Sequence, residues 1–286
     1  MAFFDKFDKE HWYELGKAFE VFKPYPLTQD EIDRSLLIAD EILRNYKERS
    51  LVEYPEMTFG NVLQGAATIY YNLGMHRSAK RAVSILAHIQ YQNNDSMDIE
   101  NLTVQSLAIK TGATVCKQPY YVEVPKVFNT SSIHFMAHEI AHMLKEYNYL
   151  ECKGVLSDAE VIPILVEMIS AHKKGDNNVF KKRELLMLDI AYAFKKLHED
   201  LENDRISKED MESFMACYRY NILYLNSFYY ALRLFAMYLQ IPQYVLGIVD
   251  DVLNQRLTTR DVINYHLSND DYTYETGIDQ FRSRLK

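Results

Sequence analysis

A mainly α fold is predicted, and three observations predict it. Only 9 Gly and 7 Pro punctuate 286 residues, too few for the many tight turns of an all-β chain. Apolar residues recur at helical spacing over long runs, as in Ile32, Leu36, Ala39, Ile42 and Leu43. One short segment, Tyr120-Tyr121-Val122-Glu123-Val124, is rich in strand formers and stands alone as a small β element. Hydrophobic residues make up 48% and charged residues 25%, the balance of an ordinary globular protein of one large or two small domains. No Pro-, Gly- or Ser-rich linker divides the chain. A single α-rich domain over 1–286 is therefore expected, with 1–115 as an N-terminal helical lobe and 116–286 as the core.

The elements follow in order. Thr28-Gln29-Asp30-Glu31 is a capping box and opens a helix to about Arg49. Further helices are expected near 59–72 and 76–92, before Asn93-Asn94-Asp95-Ser96 breaks the pattern. Pro119 and Pro125 bound the strand at 120–124, which suits an edge position because proline cannot donate to a ladder. Asn129-Thr130-Ser131-Ser132 offers helix caps, and a helix from about Ser132 to Tyr147 should follow. Helices near 158–172, 178–202, 207–240 and 243–255 complete the pattern, followed by Thr258 to Leu267 and a mixed tail.

Composition excludes several function classes. Net charge is −8, and the short basic runs Lys173-Lys174 and Lys181-Lys182-Arg183 sit among acidic residues. They read as solvated helix faces, so no nucleic-acid surface is expected. The start, Met1 to Glu10, has no apolar core of signal-peptide length, and no apolar run is long enough for a bilayer. Cys116, Cys152 and Cys217 are odd in number and far apart, which implies neither a disulfide framework nor a thiolate site. A reducing cytoplasm is the expected location, with no membrane partner.

One segment carries chemistry: His138-Glu139-Ile140-Ala141-His142. Residues four apart on a helix project from the same face, one turn apart. Two imidazoles so placed can bind one tetrahedral Zn²⁺ at ~2.0–2.1 Å. Glu139 lies about 100° round from His138, where it can reach a water without being a ligand. Zinc acidifies that water and the carboxylate takes its proton, a division of labour that suits hydrolysis. The flanking Phe135-Met136-Ala137 and Met143-Leu144 are apolar, as the rear of a buried helix must be. The bland alternative is a core helix with two satisfied histidines.

A catalytic zinc site needs a third protein ligand and an open position. Downstream, Glu160 and Glu167 are seven apart and share a face if one helix holds both. Ser157-x-x-Glu160 also reads as a capping box, but Pro163 would then sit inside the helix and remove a ladder bond. A helix that begins later, or kinks at Pro163, frees Glu160 to turn toward metal. Glu160 is thus the expected third ligand and Glu167 its alternative. The one left over would accept the other ring N–H of a ligand histidine. His134 is one turn before His138, but three successive turns span about 12 Å, too far for one ion to take all three. A place behind the ligands, or at substrate, is one reading of it, and a partly buried histidine with no such task is the other.

At these residues the chain resembles the gluzincin metallopeptidases, most of all the thimet oligopeptidase and oligoendopeptidase F type. That family pairs HExxH with a downstream Glu in a segment holding Pro and a second Glu. Here His138-Glu139-x-x-His142 and Glu160-x-x-Pro163-x-x-x-Glu167 are similar, with the proline one residue farther from the ligand Glu. The resemblance covers roughly 120–240 and implies a zincin-like core, one Zn²⁺ per chain and a peptide or protein substrate. It also implies a Tyr-rich helix near the C-terminus that donates hydrogen bonds in the transition state. Tyr218, Tyr220, Tyr224, Tyr229 and Tyr230 form such a cluster, although the family's preceding His and Gly are absent. Tyr229 is the favoured donor and Tyr224 the next.

Peptide hydrolysis is the leading expectation, and an edge strand at 120–124 could pair with an extended substrate. A catalytically inactive zincin-like interaction module is the alternative. Hydrolysis of a non-peptide amide is a third. An intact Glu139 speaks for catalysis, because a structural zinc needs no general base.

Overall fold

The first described helix, α1 (Gln29–Asn45), starts where the capping box places it. Thr28 Oγ1 accepts from the Glu31 amide at 3.3 Å, and the Thr28 amide donates to Glu31 Oε2 at 3.0 Å. The structure is a computed structural model that describes residues 27–86, 89–93, 120–124, 128–145, 158, 160–267 and 272–285. Met1 to Glu10, Cys116, Cys152, Ser157, the two prolines flanking the strand and the break at 94–96 lie outside the described residues. After α1 come α2 (Phe59–Asn72), α3 (His76–Leu86), β1 (Ile89–Asn93) and β2 (Tyr120–Val124). Next are α4 (Thr130–Leu144), α5 (Val161–Lys174), α6 (Asn177–Glu202) and α7 (Met211–Gln240). The C-terminal part holds α8 (Pro242–Leu253), α9 (Thr259–His266) and α10 (Tyr274–Ser283). The fold is mainly helical. Among the described residues no helix is long and apolar enough to cross a membrane.

The first helix ends four residues before Arg49 and α7 begins at Met211 rather than 207; three further departures from the sequence expectation have local reasons. The helix expected over 76–92 stops at Leu86, and 89–93 is a strand. Ala79, Ala82 and Ile85 keep helical spacing, whereas Ile89-Gln90-Tyr91-Gln92 alternates with period two. β1 pairs with β2 in parallel, Ile89 opposite Tyr120 and Asn93 opposite Val124. The strand at 120–124 is thus one of a two-stranded pair. The helix expected from 158 begins at Val161, which puts Pro163 in its first turn, where a missing N–H breaks no ladder bond. The tail contains a helix, α10, capped by Thr273, whose internal Gly277 masks its helical character in sequence.

One continuous buried core runs from Ile38 to Leu285. Helices on both sides of residue 115 share it. The 30-residue α7 is its axis and packs against α1, α5, α6, α8 and α10. Phe214, Phe228 and Phe235 lie on its buried faces, consistent with a helix apolar nearly all round. α4 lies across α5 and α2, and the buried Tyr70 hydroxyl of α2 donates to the Ala137 carbonyl at 2.5 Å. Gly175 closes α5 with φ of 70°, a left-handed turn that glycine adopts freely. The chain then reverses at once into α6, so α5 and α6 pack side by side.

α10 meets α7 through a close backbone approach. A Cβ built on Gly277 would lie 2.6 Å from the Leu232 carbonyl oxygen. Backbone cannot swing aside as a flexible side chain can, so the clash outweighs the helix propensity that Ala would add. Gly277→Ala should therefore lower stability by about 1–3 kcal/mol. Urea unfolding should show a lower midpoint at unchanged slope. A midpoint equal to wild type would mean that α10 shifts on α7 without cost.

Candidate metal centre

Asn129 caps α4, its side chain accepting from the Ser131 amide at 3.0 Å. The helix is buried along most of its length, and its rear face packs through Ala137, Ile140, Ala141 and Leu144. His138, Glu139 and His142 are held in this buried helix, at 7%, 8% and 8% exposure. Glu160 sits directly before α5 with αR backbone (φ −90°, ψ −13°) and makes no capping bond to its own helix. Its carboxylate is thus left for another task.

That task is visible in the distances. His138 Nε2 and His142 Nε2 are 3.1 Å apart, and Glu160 Oε2 is 3.2 Å from each. Three atoms from three side chains form a nearly equilateral triangle. Three ligands of a tetrahedral zinc with bonds of ~2.0–2.1 Å stand about 3.3–3.4 Å apart, so the triangle has the size of one tetrahedral face. Among the described residues Glu160 Oε2 has no hydrogen-bond donor aligned on it, although it is buried. A buried carboxylate oxygen without an aligned donor suits a cation. Glu139 Oε1 lies 3.8 Å from His138 Nε2, beside the triangle rather than in it.

Glu167 stands behind His138. Its Oε2 is 3.1 Å from His138 Nδ1, on the far side of the ring from the triangle. The structure therefore separates the two acidic alternatives: Glu160 reaches the nitrogens that face each other, and Glu167 reaches the outer nitrogen. Arg183 of α6 holds Glu167 through a fork, Nε donating to Oε1 at 3.0 Å and Nη2 donating to Oε2. Both side chains are buried.

Charge gives a second test of fit. Glu139, Glu160 and Glu167 are all buried, and Arg183 is the permanent cation paired with them among the described residues. Two negative charges stay unbalanced with neutral histidines, and a divalent cation cancels both. Without it, burial opposes a charge on His138, but the Glu160 and Glu167 carboxylates outweigh burial and raise its pKa to about 9. Burial also opposes the charge on Glu160, yet His142 and His138 hold its carboxyl well below the usual range. For Glu167, burial is overcome chiefly by Arg183 and then by His138, and its pKa is lowered. Burial raises that of Glu139 against the pull of both histidines. The donor set, two imidazoles and one carboxylate with a free carboxylate alongside, fits zinc with one coordination position open.

The remaining expected residues divide. His134 does not back the ligands. Its Nδ1 shares a hydrogen bond with Ser170 Oγ at 2.8 Å, and its Nε2 is 3.7 Å from Asp176 Oδ2. Tyr229 is turned away: its ring stacks on Tyr274 at 5.2 Å and lies beneath Arg233. It is nine residues from Tyr220, hence on the opposite side of α7. Tyr218 is spent on His198 Nδ1 at 2.7 Å, and Tyr230 lies under Arg34. Tyr220 and Tyr224 pack on each other with ring centroids 4.7 Å apart, and their electrostatic coupling to Glu160 and Arg183 ties them to the site. Burial first, and then the Glu160 charge, push the Tyr220 phenol well up. Tyr224 lies in the field of Arg183.

Sequence reasoning missed Tyr220 as a favoured residue and Arg183 altogether. The basic run 181–183 reads as solvated, yet Lys182 and Arg183 are buried. The signal was present: Arg183 interrupts the apolar stripe of Phe180, Met187, Ile190 and Phe194. No family model, no curated protein and no solved structure matches this chain.

His134 gives a pH dependence. Burial lowers its pKa, with Asp176 and Glu167 acting against that shift. A histidine that is harder to protonate when folded favours the folded state above its unfolded pKa of ~6.5. That contribution is lost as pH falls through the unfolded value, because the unfolded chain then binds the extra proton. With chelator present, His134→Gln should flatten the fall in urea stability from about pH 6.5 downward. Parallel wild-type and variant curves would remove His134 as the source.

Proposed function

We propose that this chain is a zinc-dependent metallopeptidase with a zincin-like core, in which His138, His142 and Glu160 hold the metal and Glu139 is the general base. The carrying observation is the triangle of ligand atoms at 3.1–3.2 Å with a carboxylate beside it that is not one of its corners. A structural site closes all four positions with ligands and has no use for such a neighbour. Bound zinc would acidify a water and polarise a substrate carbonyl.

The chain's own residues supply the rest. Glu139, whose carboxylate lies 3.8 Å from His138 Nε2, takes a proton from the attacking water. It returns that proton to the amide nitrogen as the peptide bond breaks. Glu167 Oε2, 3.1 Å from His138 Nδ1, would take that N–H once the ring aligns on it and so fix the tautomer that points Nε2 into the triangle. Tyr220 or Tyr224 donates to the carbonyl oxygen as it gains negative charge. Support for a peptide, rather than another amide, comes from the resemblance carried by His138-Glu139-x-x-His142 and Glu160…Glu167. A cytoplasmic setting belongs to the same reading.

Elemental analysis and a peptide-library cleavage profile test it together. One zinc per chain is expected, with occupancy falling sharply in Glu160→Ala because a two-ligand site holds metal poorly. Glu139→Gln should keep the zinc and lose about 10²–10⁴-fold in rate. Cleavage by Glu139→Gln at the wild-type rate, or zinc-loaded protein that cleaves no peptide, would refute the proposal.

The tyrosines separate by position. At least one of Tyr220→Phe and Tyr224→Phe should lower kcat by about 10²–10³-fold at nearly constant KM, the signature of a transition-state donor. Tyr229→Phe should match wild type. Normal kcat in both of the first two variants would assign all of these phenols to packing.

A further inference from the structure

Arg183 is the buried group that the scheme above leaves without a task. Its fork grips both oxygens of Glu167, while its Nη1 is buried and finds no hydrogen-bond partner among the described residues. Both Glu160 and Tyr224 lie in its field. It comes from a different helix than every ligand, α6, which the Gly175 turn folds back along α5.

Resting on the reading of this site as a metal centre, we propose that Arg183 is the positioning residue that sets the metal's ligand set. Two glutamates, seven residues apart, stand within 3.2 Å of the same imidazole. Nothing in their chemistry distinguishes them as ligands. The difference is the fork. A planar guanidinium that donates to both carboxylate oxygens fixes the carboxylate in position and orientation, which an ammonium cannot do. Glu167 is thereby kept behind His138, and Glu160 is the carboxylate that meets the metal. Without the fork, Glu167 would be an unbalanced buried carboxylate beside a dication, and joining the ligand set would lower its energy.

Co²⁺ titration followed by visible absorption tests this without any substrate. Four-coordinate Co²⁺ absorbs strongly in the visible, and the bands weaken as coordination number rises. Wild type should give the strong bands. Arg183→Met should give weaker, shifted bands at an affinity no lower than wild type, because an added carboxylate ligand and a lost positive charge both favour the cation. Arg183→Lys keeps the charge and loses the fork, so it should fall between. Arg183→Met/Glu167→Gln removes the rival carboxylate while leaving an acceptor for His138 Nδ1, and it should restore the wild-type band shape. A merely structural arginine would not be rescued in this way.

Wild-type spectra in Arg183→Met would overturn the inference, as would a double variant no closer to wild type than the single. If Arg183→Met does not fold, Arg183→Lys and the double variant carry the comparison. Identical bands in both then overturn it. Wild type that binds no Co²⁺ would overturn the metal reading, and this inference with it.

Discussion

Burying three carboxylates within 3.8 Å of one imidazole, that of His138, is the constraint on which the rest of this structure depends. Each ion taken out of water costs several kcal/mol unless partners replace the lost hydration. Glu139, Glu160 and Glu167 are all below 9% exposed, and two of them flank the same imidazole. No single helix can supply the compensation. α4 brings His138 and His142, the start of α5 brings Glu160, its second turn brings Glu167, and α6 brings Arg183. Packing of α4 on α5, and of α5 on α6 and α7, is what makes these charges neighbours. The core and the polar centre are therefore one construction: the apolar rear faces fix the helices, and the fixed helices make the buried charges tolerable.

Local signals in the chain were legible, and contacts between helices were not. His138, Glu139 and His142 belong to one helix, so spacing alone places their side chains on adjoining faces. Glu160 could be reached because Pro163 argues against a helix beginning at 158, and the observed start at Val161 agrees with that argument. Pro163 also ranked Glu160 over Glu167 in sequence, and the third dimension added that the two approach different nitrogens of the same imidazole and that Arg183 grips only Glu167. Arg183 was obscured by its neighbours, as a run of three basic residues looks solvated until the helix that carries it is packed. The tyrosines show the same limit. Their clustering on α7 was plain, but which of them faces the centre depends on how α7 is rotated, and that rotation is set by α1, α5, α6, α8 and α10 together. At the fold level the helical class followed from spacing and from the scarcity of Gly and Pro. The strand at 89–93 was lost to an extended helix because a short alternating run is ambiguous beside a strong helical pattern.

The three histidines of α4 show how far identity and spacing carry an argument, and where it ends. His134, His138 and His142 lie on one stripe, one turn apart, and all three are buried. Spacing treats them alike, and only Glu139 between the last two marks that pair in sequence. Yet His134 meets a hydroxyl, Ser170 Oγ, and stands 3.7 Å from an Asp176 whose two oxygens already accept from Ser131 Oγ and the Asn178 amide. Its pKa is lowered, and it ties α4 to the turn between α5 and α6. His138, one turn on, meets a carboxylate at each ring nitrogen and has its pKa raised to about 9. The first environment disfavours a charge on the imidazole. The second concentrates negative charge around a nitrogen pair and so asks for a cation. Opposite electrostatic fates on a single helix face come from what α5 and α6 place opposite each ring. A motif of this kind states which atoms can converge, and the acids gathered behind and beside it decide whether they hold a proton or a metal.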